Sequence, residues 1–143
     1  MSSNSLYMDF YDLEDFTIGR RKDNIIVIYV KEGKEVNQEM QYAIFKYLLQ
    51  LKQPGVLHPV ILNGGDFVSI SSNVVEHTKI GFKEHVLCVA VVAKNMADRI
   101  VGKYFSKKYK TSSEFVFFDS LDEAVSFCYE NMNKVGMNFT PLL

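Results

Sequence analysis

Apolar and polar positions change period several times along this chain. Thr17 to Arg21 and Ile25 to Val30 are strand-like runs on either side of Lys22-Asp23-Asn24, a polar connection of turn formers, and they predict an antiparallel hairpin. Ile25-Ile26-Val27-Ile28-Tyr29-Val30 shows no polar alternation, which places it in the sheet centre with both faces covered. After Lys31 to Val36 the period becomes helical. Asn37 is an N-cap residue, and Met40, Ala43, Ile44, Tyr47, Leu48 and Leu51 form the apolar stripe of a helix that reaches Lys52 and stops at Pro54-Gly55. Tyr42, Phe45 and Leu49 form a second stripe, opposite the first at about 100° per residue. A helix apolar on two sides needs cover twice. The Leu6 to Phe16 segment, the Phe139 to Leu143 tail or a second copy of the chain would supply it.

Val60-Ile61-Leu62 predicts a third strand, and Asn63-Gly64-Gly65-Asp66 after it allows a sharp turn or a close backbone approach. A short helix over Ser72 to Lys79 is capped by Ser71 or Ser72 and ended by Gly81. Val86 to Ala93 is the strongest central-strand signal in the chain. Asn95 caps a helix with Met96, Ala97, Ile100, Val101 and Tyr104 inward, and Phe115 to Phe118 is the fifth strand. Ser120-Leu121-Asp122-Glu123 has capping-box spacing, and Leu121, Ala124, Val125, Cys128 and Met132 mark the buried stripe of a last helix ending near Gly136. The order predicts an α/β fold: a mixed, mostly parallel five-stranded sheet with an N-terminal hairpin and four helices.

Length and composition narrow the class without naming an activity. The 143 residues fit one domain, expected over residues 16–135, with a flexible N-terminal segment at 1–15 and a tail at 136–143. Sixteen basic against 17 acidic side chains leave a net charge of -1, which offers no overall attraction to nucleic acid or to an anionic membrane. Met1 to Asn4 lacks the basic and apolar regions of a signal peptide, and Val86 to Ala93 is too short to span a bilayer, so a cytoplasmic protein is expected. Cys88 and Cys128 fall on apolar faces and suit two reduced, buried thiols.

In open α/β sheets, ligands collect outside the carboxyl ends of the strands. That edge would carry Asp66, Ser69, Ser71 and Ser72 after the third strand, Lys94 and Asn95 after the fourth and Asp119 after the fifth. Caps and turns call for most of these residue types too, Asp66 and Lys94 excepted. No phosphate-loop or dinucleotide fingerprint and no nucleophile-elbow motif occurs. His58, His77 and His85 lack metal-ligand spacing and are expected as partly exposed polar side chains, so no metal or cofactor is called for. Arg99, Lys103, Lys107, Lys108 and Lys110 make a basic stretch that a solvated helix face explains. An acidic receiver-like pocket of Asp66, Lys94 and Asp119 lacks its acidic pair, because the first two strands end in Arg21 and Lys31.

Three stretches carry a family resemblance: Ile18-Gly19-Arg20-Arg21-Lys22-Asp23-Asn24-Ile25, Gly81-Phe82-Lys83-Glu84-His85-Val86 running into Val89-Ala90-Val91-Val92, and Phe118-Asp119-Ser120-Leu121-Asp122-Glu123-Ala124. With the element order, the chain from Thr17 to Asn131 resembles the STAS fold of bacterial anti-sigma-factor antagonists, and more closely the small stand-alone bacterial proteins of unknown function grouped with it. The resemblance implies a non-catalytic regulatory or small-ligand-binding module, often acting through protein contacts; the second stripe suggests a homodimer, and 13% aromatic residues with a thin helix over Ser72 to Lys79 suggest a small apolar or lipid-like ligand as the alternative. The antagonists carry an Asp-Ser-Ser-Gly-like turn whose serine a partner kinase phosphorylates. Ser69-Ile70-Ser71-Ser72-Asn73 matches it in two serines and lacks the aspartate and the glycine. A phosphate on Ser71 or Ser72 would sit acceptably at a helix N-terminus, and serine capping accounts for the same residues.

Overall fold

The computed structural model describes residues 6–65, 68–70, 84–92 and 115–142. Its main sheet has six strands in the order β1-β2-β3-β5-β7-β8: β1 Tyr7–Asp12, β2 Phe16–Arg21, β3 Ile26–Val30, β5 His58–Gly64, β7 Val86–Val92 and β8 Phe115–Phe118. A second, two-residue ladder pairs β4 Glu35–Val36 with β6 Ser69–Ile70. The pairs β1–β2 and β2–β3 are antiparallel, whereas β3, β5, β7 and β8 run parallel to one another. Among the described residues two helices accompany them, α1 Gln38–Leu51 and α2 Leu121–Lys134. The helices expected over Ser72 to Lys79 and after Asn95 lie outside the described residues.

The strand count corrects the expectation of five. Tyr7–Asp12, inside the stretch expected to be flexible, pairs with β2 along its length. The register shifts between Tyr7 and Asp9, so a bulge at Met8 brings Tyr7 and Phe10 together, with ring centroids 4.9 Å apart. An unbroken alternation would have sent residues three apart to opposite faces. Asp9 and Asp12 stand where an edge strand tolerates charge and gains protection from further pairing.

Alternating side chains of the inner strands feed two cores. Ile26, Ile28, Val30, Val60, Val89 and Val91 pack with Met40, Ile44, Leu48 and Leu51 of α1 on one face. Ile25, Val27, Ile61, Ala90 and Val92 pack with Ala124, Cys128 and Met132 of α2 on the other. A bulge between His58 and Pro59 lets Val86 join the α1 side while β7 keeps its later alternation. Both helices start as the sequence predicts. Asn37 Oδ1 accepts from the Met40 N–H at 2.9 Å, and Ser120 Oγ accepts from the Glu123 N–H at 3.2 Å. At the far end of α2, Gly136 is left-handed at φ 69°, and the Met137 N–H reaches the Met132 carbonyl at 2.9 Å in a Schellman closure. Leu121, assigned to the inward stripe by its spacing, remains exposed in the first turn.

Among the described residues the second stripe of α1 is covered only in part. Tyr11 of β1 packs on Tyr47, with centroids 4.9 Å apart, and the C-terminal tail packs on α2 instead. Tyr42 stays 60% exposed and Leu49 42% exposed, while Phe45 meets the ring of His85 at 5.3 Å. No helix among the described residues is long and apolar enough to cross a membrane.

Leu48 is fully buried between α1 and the sheet. Leu48→Ala is expected to lower unfolding stability by about 2–4 kcal/mol, and Tyr42→Ala by less than about 0.5 kcal/mol. Urea denaturation of the two variants checks the contrast.

Candidate functional site

The two edges of the sheet differ in chemistry. At the carboxyl edge β3 ends at Val30, β5 at Gly64, β7 at Val92 and β8 at Phe118. Gly65 crosses here in close backbone contact: its N–H donates to the Val30 carbonyl at 2.9 Å. A Cβ at this position would stand 2.8 Å from the Tyr29 hydroxyl and 3.0 Å from the Glu32 nitrogen, so only glycine fits without displacement. The close approach anticipated for the glycine pair is therefore real at Gly65. Asn63 Oδ1 is buried beside it with no hydrogen-bond partner among the described residues.

Of the residues expected at this edge, Ser69 lies in β6, in register with Glu35 of β4. Asp119 follows β8, the outermost strand, and is exposed. Two strand spacings, about 10 Å, separate β8 from β5, so Asp119 belongs to the flank rather than to the ground around Asn63 and Gly65. Asp66, Ser71, Ser72, Lys94 and Asn95 lie outside the described residues. Beside Asp119, an open groove of about 370 Å³ is lined by Phe118, Asp122, Glu123, Ser126, Phe127 and Glu130. Its two rings stand 5.2 Å apart. Asp122 and Glu123 occupy the first turn of α2, where the helix dipole favours negative charge. Among the described residues no group of three or more His, Cys, Asp or Glu side chains could hold a metal ion.

The amino edge holds a polar network that sequence reasoning missed. Asn24, left-handed at φ 70°, closes the β2–β3 turn, with its N–H on the Arg21 carbonyl at 2.9 Å. That tight turn folds Arg21 back on Asp23: Nη2 donates to Oδ2 at 2.8 Å and Nε to Oδ1 at 3.2 Å. Asp23 is fully buried, and a buried carboxylate needs every partner it can find. Tyr129 of α2 supplies one, its hydroxyl donating to Oδ2 at 2.6 Å while accepting from the Leu142 N–H at 2.9 Å. Phe139 stacks on the same ring at 4.8 Å, and Asn24 Nδ2 donates to the Asn138 carbonyl at 3.4 Å. Burial first, and the hydrogen bond to Asp23 second, push the Tyr129 hydroxyl above the ordinary phenol range. Burial likewise raises Tyr7, with Arg21 opposing it.

His58 completes the network and corrects the expectation of partial exposure, because it is fully buried at the start of β5. Its Nε2 accepts from the Gln53 N–H at 3.0 Å, which puts the ring proton on Nδ1, 2.8 Å from the Asn24 carbonyl. The neutral imidazole thus ties the loop after α1 to the β2–β3 turn. Burial is the main cause that lowers its pKa; the bond to Asn24 opposes the shift, and Arg20 and Lys52 add to it. The signal available in the sequence was slight: an arginine two residues before an aspartate in a turn, and a histidine opening an apolar strand.

The fold is α/β with a mixed six-stranded sheet. Among solved structures the chain is similar to an uncharacterised protein of the DUF3478 family from Shewanella loihica PV-4, described as having a SpoIIAA-like fold. The identity is 18%, covering 82% of this chain and 97% of that one, with a TM-score of 0.45. No family model and no curated protein matches the chain.

Two expectations follow from the amino-edge network. Because folding lowers the His58 pKa, the unfolded chain takes up a proton below about pH 6.5 that the folded chain refuses, so stability present above that pH falls as the solution is acidified. The slope should approach about 1.4 kcal/mol per pH unit and should flatten in His58→Gln, as read by urea melts from pH 7 to 5. Asp23→Ala leaves Arg21 and Tyr129 without their partner and should cost about 3–5 kcal/mol in the same assay.

Proposed function

We propose that this chain is a non-catalytic, STAS-like regulatory module that acts through protein contacts made by α1. The observation that carries the reading is the outward stripe of that helix, where Tyr42 and Leu49 are exposed while Met40, Ile44, Leu48 and Leu51 on the opposite stripe are buried against the sheet. Gln38 Nε2 donates to the Tyr42 hydroxyl at 2.9 Å and so holds an aromatic ring in place at the surface. A tyrosine with its hydroxyl satisfied and its ring exposed is a favourable anchor for a protein interface. A second copy of the chain is the simplest occupant, with a regulatory partner as the other. A cytoplasmic setting belongs to the same proposal.

The polar groups support a module rather than an enzyme. Arg21, Asp23, His58 and Tyr129 are spent on one another and on backbone groups, so a substrate would have to displace those partners before any of them could act on it. Phosphorylation at Ser71 or Ser72 would be the regulatory input of such a module. The apolar-ligand alternative is supported less well, because the groove beside β8 is open and rimmed by Asp122, Glu123 and Glu130.

A photoreactive benzoyl-phenylalanine at position 42 tests the reading, with the same group at position 122 as the control. Crosslinked protein adducts are expected from position 42 in cells and not from the control. The double variant Tyr42→Asp, Leu49→Asp should fold with near-unchanged stability and lose any self-association seen by sedimentation velocity. Absence of adducts at position 42 together with a strictly monomeric wild type overturns the proposal.

A further inference from the structure

Arg20 and Arg21 are neighbours on β2 and meet opposite fates. Arg21 turns Nε and Nη2, the two nitrogens of one guanidinium edge, onto the Asp23 carboxylate at 3.2 and 2.8 Å. Arg20 uses only Nη1, which donates to Asn24 Oδ1 at 3.2 Å. Its Nε is buried, and no acceptor among the described residues meets it. We propose that the open edge of the Arg20 guanidinium is a binding site for a small oxyanion, a carboxylate or a phosphate group, at the amino edge of the sheet.

A buried donor needs an acceptor. Water satisfies an N–H at the surface and a carbonyl or carboxylate satisfies one in the interior, so a charged donor with neither is rare. Strand parity fixes where this one lies. Arg20 follows Phe16 and Ile18 on the side of β2 that faces α1, and it stands in register with Ile26, which is fully buried there. The side chain leaves apolar ground and keeps partial exposure, so an ion can approach it from solvent.

The acceptors nearest in the chain are engaged elsewhere or stay apart. Asp23 is held by Arg21 and Tyr129. Asp9 stands opposite Arg20 in the β1–β2 register, yet no ion pair joins the two. At the end of α1 the Leu48 carbonyl accepts from the Lys52 N–H at 3.0 Å, and among the described residues no carbonyl of that turn accepts from Arg20. The guanidinium is therefore not a cap for the helix.

Its orientation is nevertheless fixed. Asn24 is locked in the left-handed turn, with Nδ2 on the Asn138 carbonyl at 3.4 Å, and its Oδ1 pins Nη1. Nε and Nη2 are left as a fork, the same fork that Arg21 closes on Asp23. Such an edge matches two oxygens of a carboxylate or phosphate in parallel hydrogen bonds, whereas a halide gains only the charge. Preorganisation lowers the cost of binding.

Charge at this corner favours an anion. Lys52 caps α1, its neighbour Gln53 donates to His58, His58 bonds to the Asn24 carbonyl, and Asn24 receives Arg20. Lys22, exposed, opens the turn beside Arg21. Among the described residues no carboxylate pairs with Arg20, Lys22 or Lys52, so their positive charge stands unneutralised. Burial leads the lowering of the His58 pKa, and Arg20 and Lys52 add to it, as such a field requires.

The test follows the arginine Nε–H signals of the nitrogen-15-labelled full chain by NMR. Sodium acetate and inorganic phosphate are titrated separately near neutral pH, against sodium chloride at matched ionic strength, and the Arg20 signal is assigned by its loss in Arg20→Lys. The expected result is a saturable downfield shift of the Arg20 Nε proton with acetate or phosphate and none with chloride, while the Arg21 signal, already bonded to Asp23, stays in place. The ion that saturates at the lower concentration identifies the class of oxyanion. Arg20→Lys keeps the charge and loses the fork, so its affinity, read from the backbone amides of Lys22 and Asn24, should fall by about tenfold or more. An Arg20 signal that neither oxyanion moves, one that chloride moves equally, or an affinity unchanged in Arg20→Lys would each overturn the proposal, and the wild-type titration decides even where the variant folds poorly.

Discussion

Strands that are apolar on both faces cannot be stable with a single covering layer. β3, β5 and β7 are such strands, and each inner residue that faces α1 is followed by one that faces α2. Removing either helix would leave a row of valine and isoleucine side chains in water, at roughly 25 cal/mol for every Å² of apolar surface. The rest of the molecule follows from that demand. Parallel pairing of β3, β5, β7 and β8 needs crossovers long enough to carry covering helices, and α1 is the crossover from β3 to β5. α2 arrives only after the last strand, so its cover of the other face depends on being held there.

The Asp23 carboxylate is one of the things that holds it. It sits in the β2–β3 turn yet takes a hydrogen bond from Tyr129 on α2, whose hydroxyl in turn receives the Leu142 N–H from the tail. Turn, helix and C-terminus therefore share one buried charge, which Arg21 neutralises from the adjacent strand. By contrast, the surface pairs Lys31–Asp12 and Lys34–Asp15 are well exposed and fix little. Such a buried arrangement gives little or no net stability over an apolar substitute, but it is specific. A helix shifted by one turn would strand the carboxylate in the protein interior without a partner.

Most of the frame was legible because it rests on local rules. The β2–β3 hairpin, the two-faced strands and both caps follow from period and turn chemistry that neighbouring residues display. β1 was not legible, since its bulge at Met8 breaks alternation and its aspartates suit a loop as readily as an edge strand. The amino-edge network was hidden for another reason. Nothing near His58 in the chain indicates that Gln53 and Asn24 will offer one donor and one acceptor to its two ring nitrogens, 3.0 and 2.8 Å away. That pairing joins residues 34 apart in sequence and exists only once the strands have assembled. The carboxyl-edge residues were named from a general rule of α/β sheets. In the structure Gly65 and Ser69 follow β5, whereas Asp119 follows β8 on the flank of the sheet.

The division between the two edges bears on how such a fold separates stability from activity. At the amino edge, Asp23, Tyr129 and both nitrogens of His58 have their partners within the chain, and the left-handed Asn24 is fixed by bonds on both its amide groups. Side chains so committed can bind a ligand only by first losing what they have, although Arg20 Nε at the same edge is buried with no hydrogen-bond partner among the described residues. At the carboxyl edge the backbone approaches closely at Gly65, the β4–β6 ladder is only two residues wide on each strand, and Asn63 keeps a buried oxygen with no donor among the described residues. Unspent hydrogen-bonding capacity beside short, weakly paired strands is where an arriving group gains most and disturbs least.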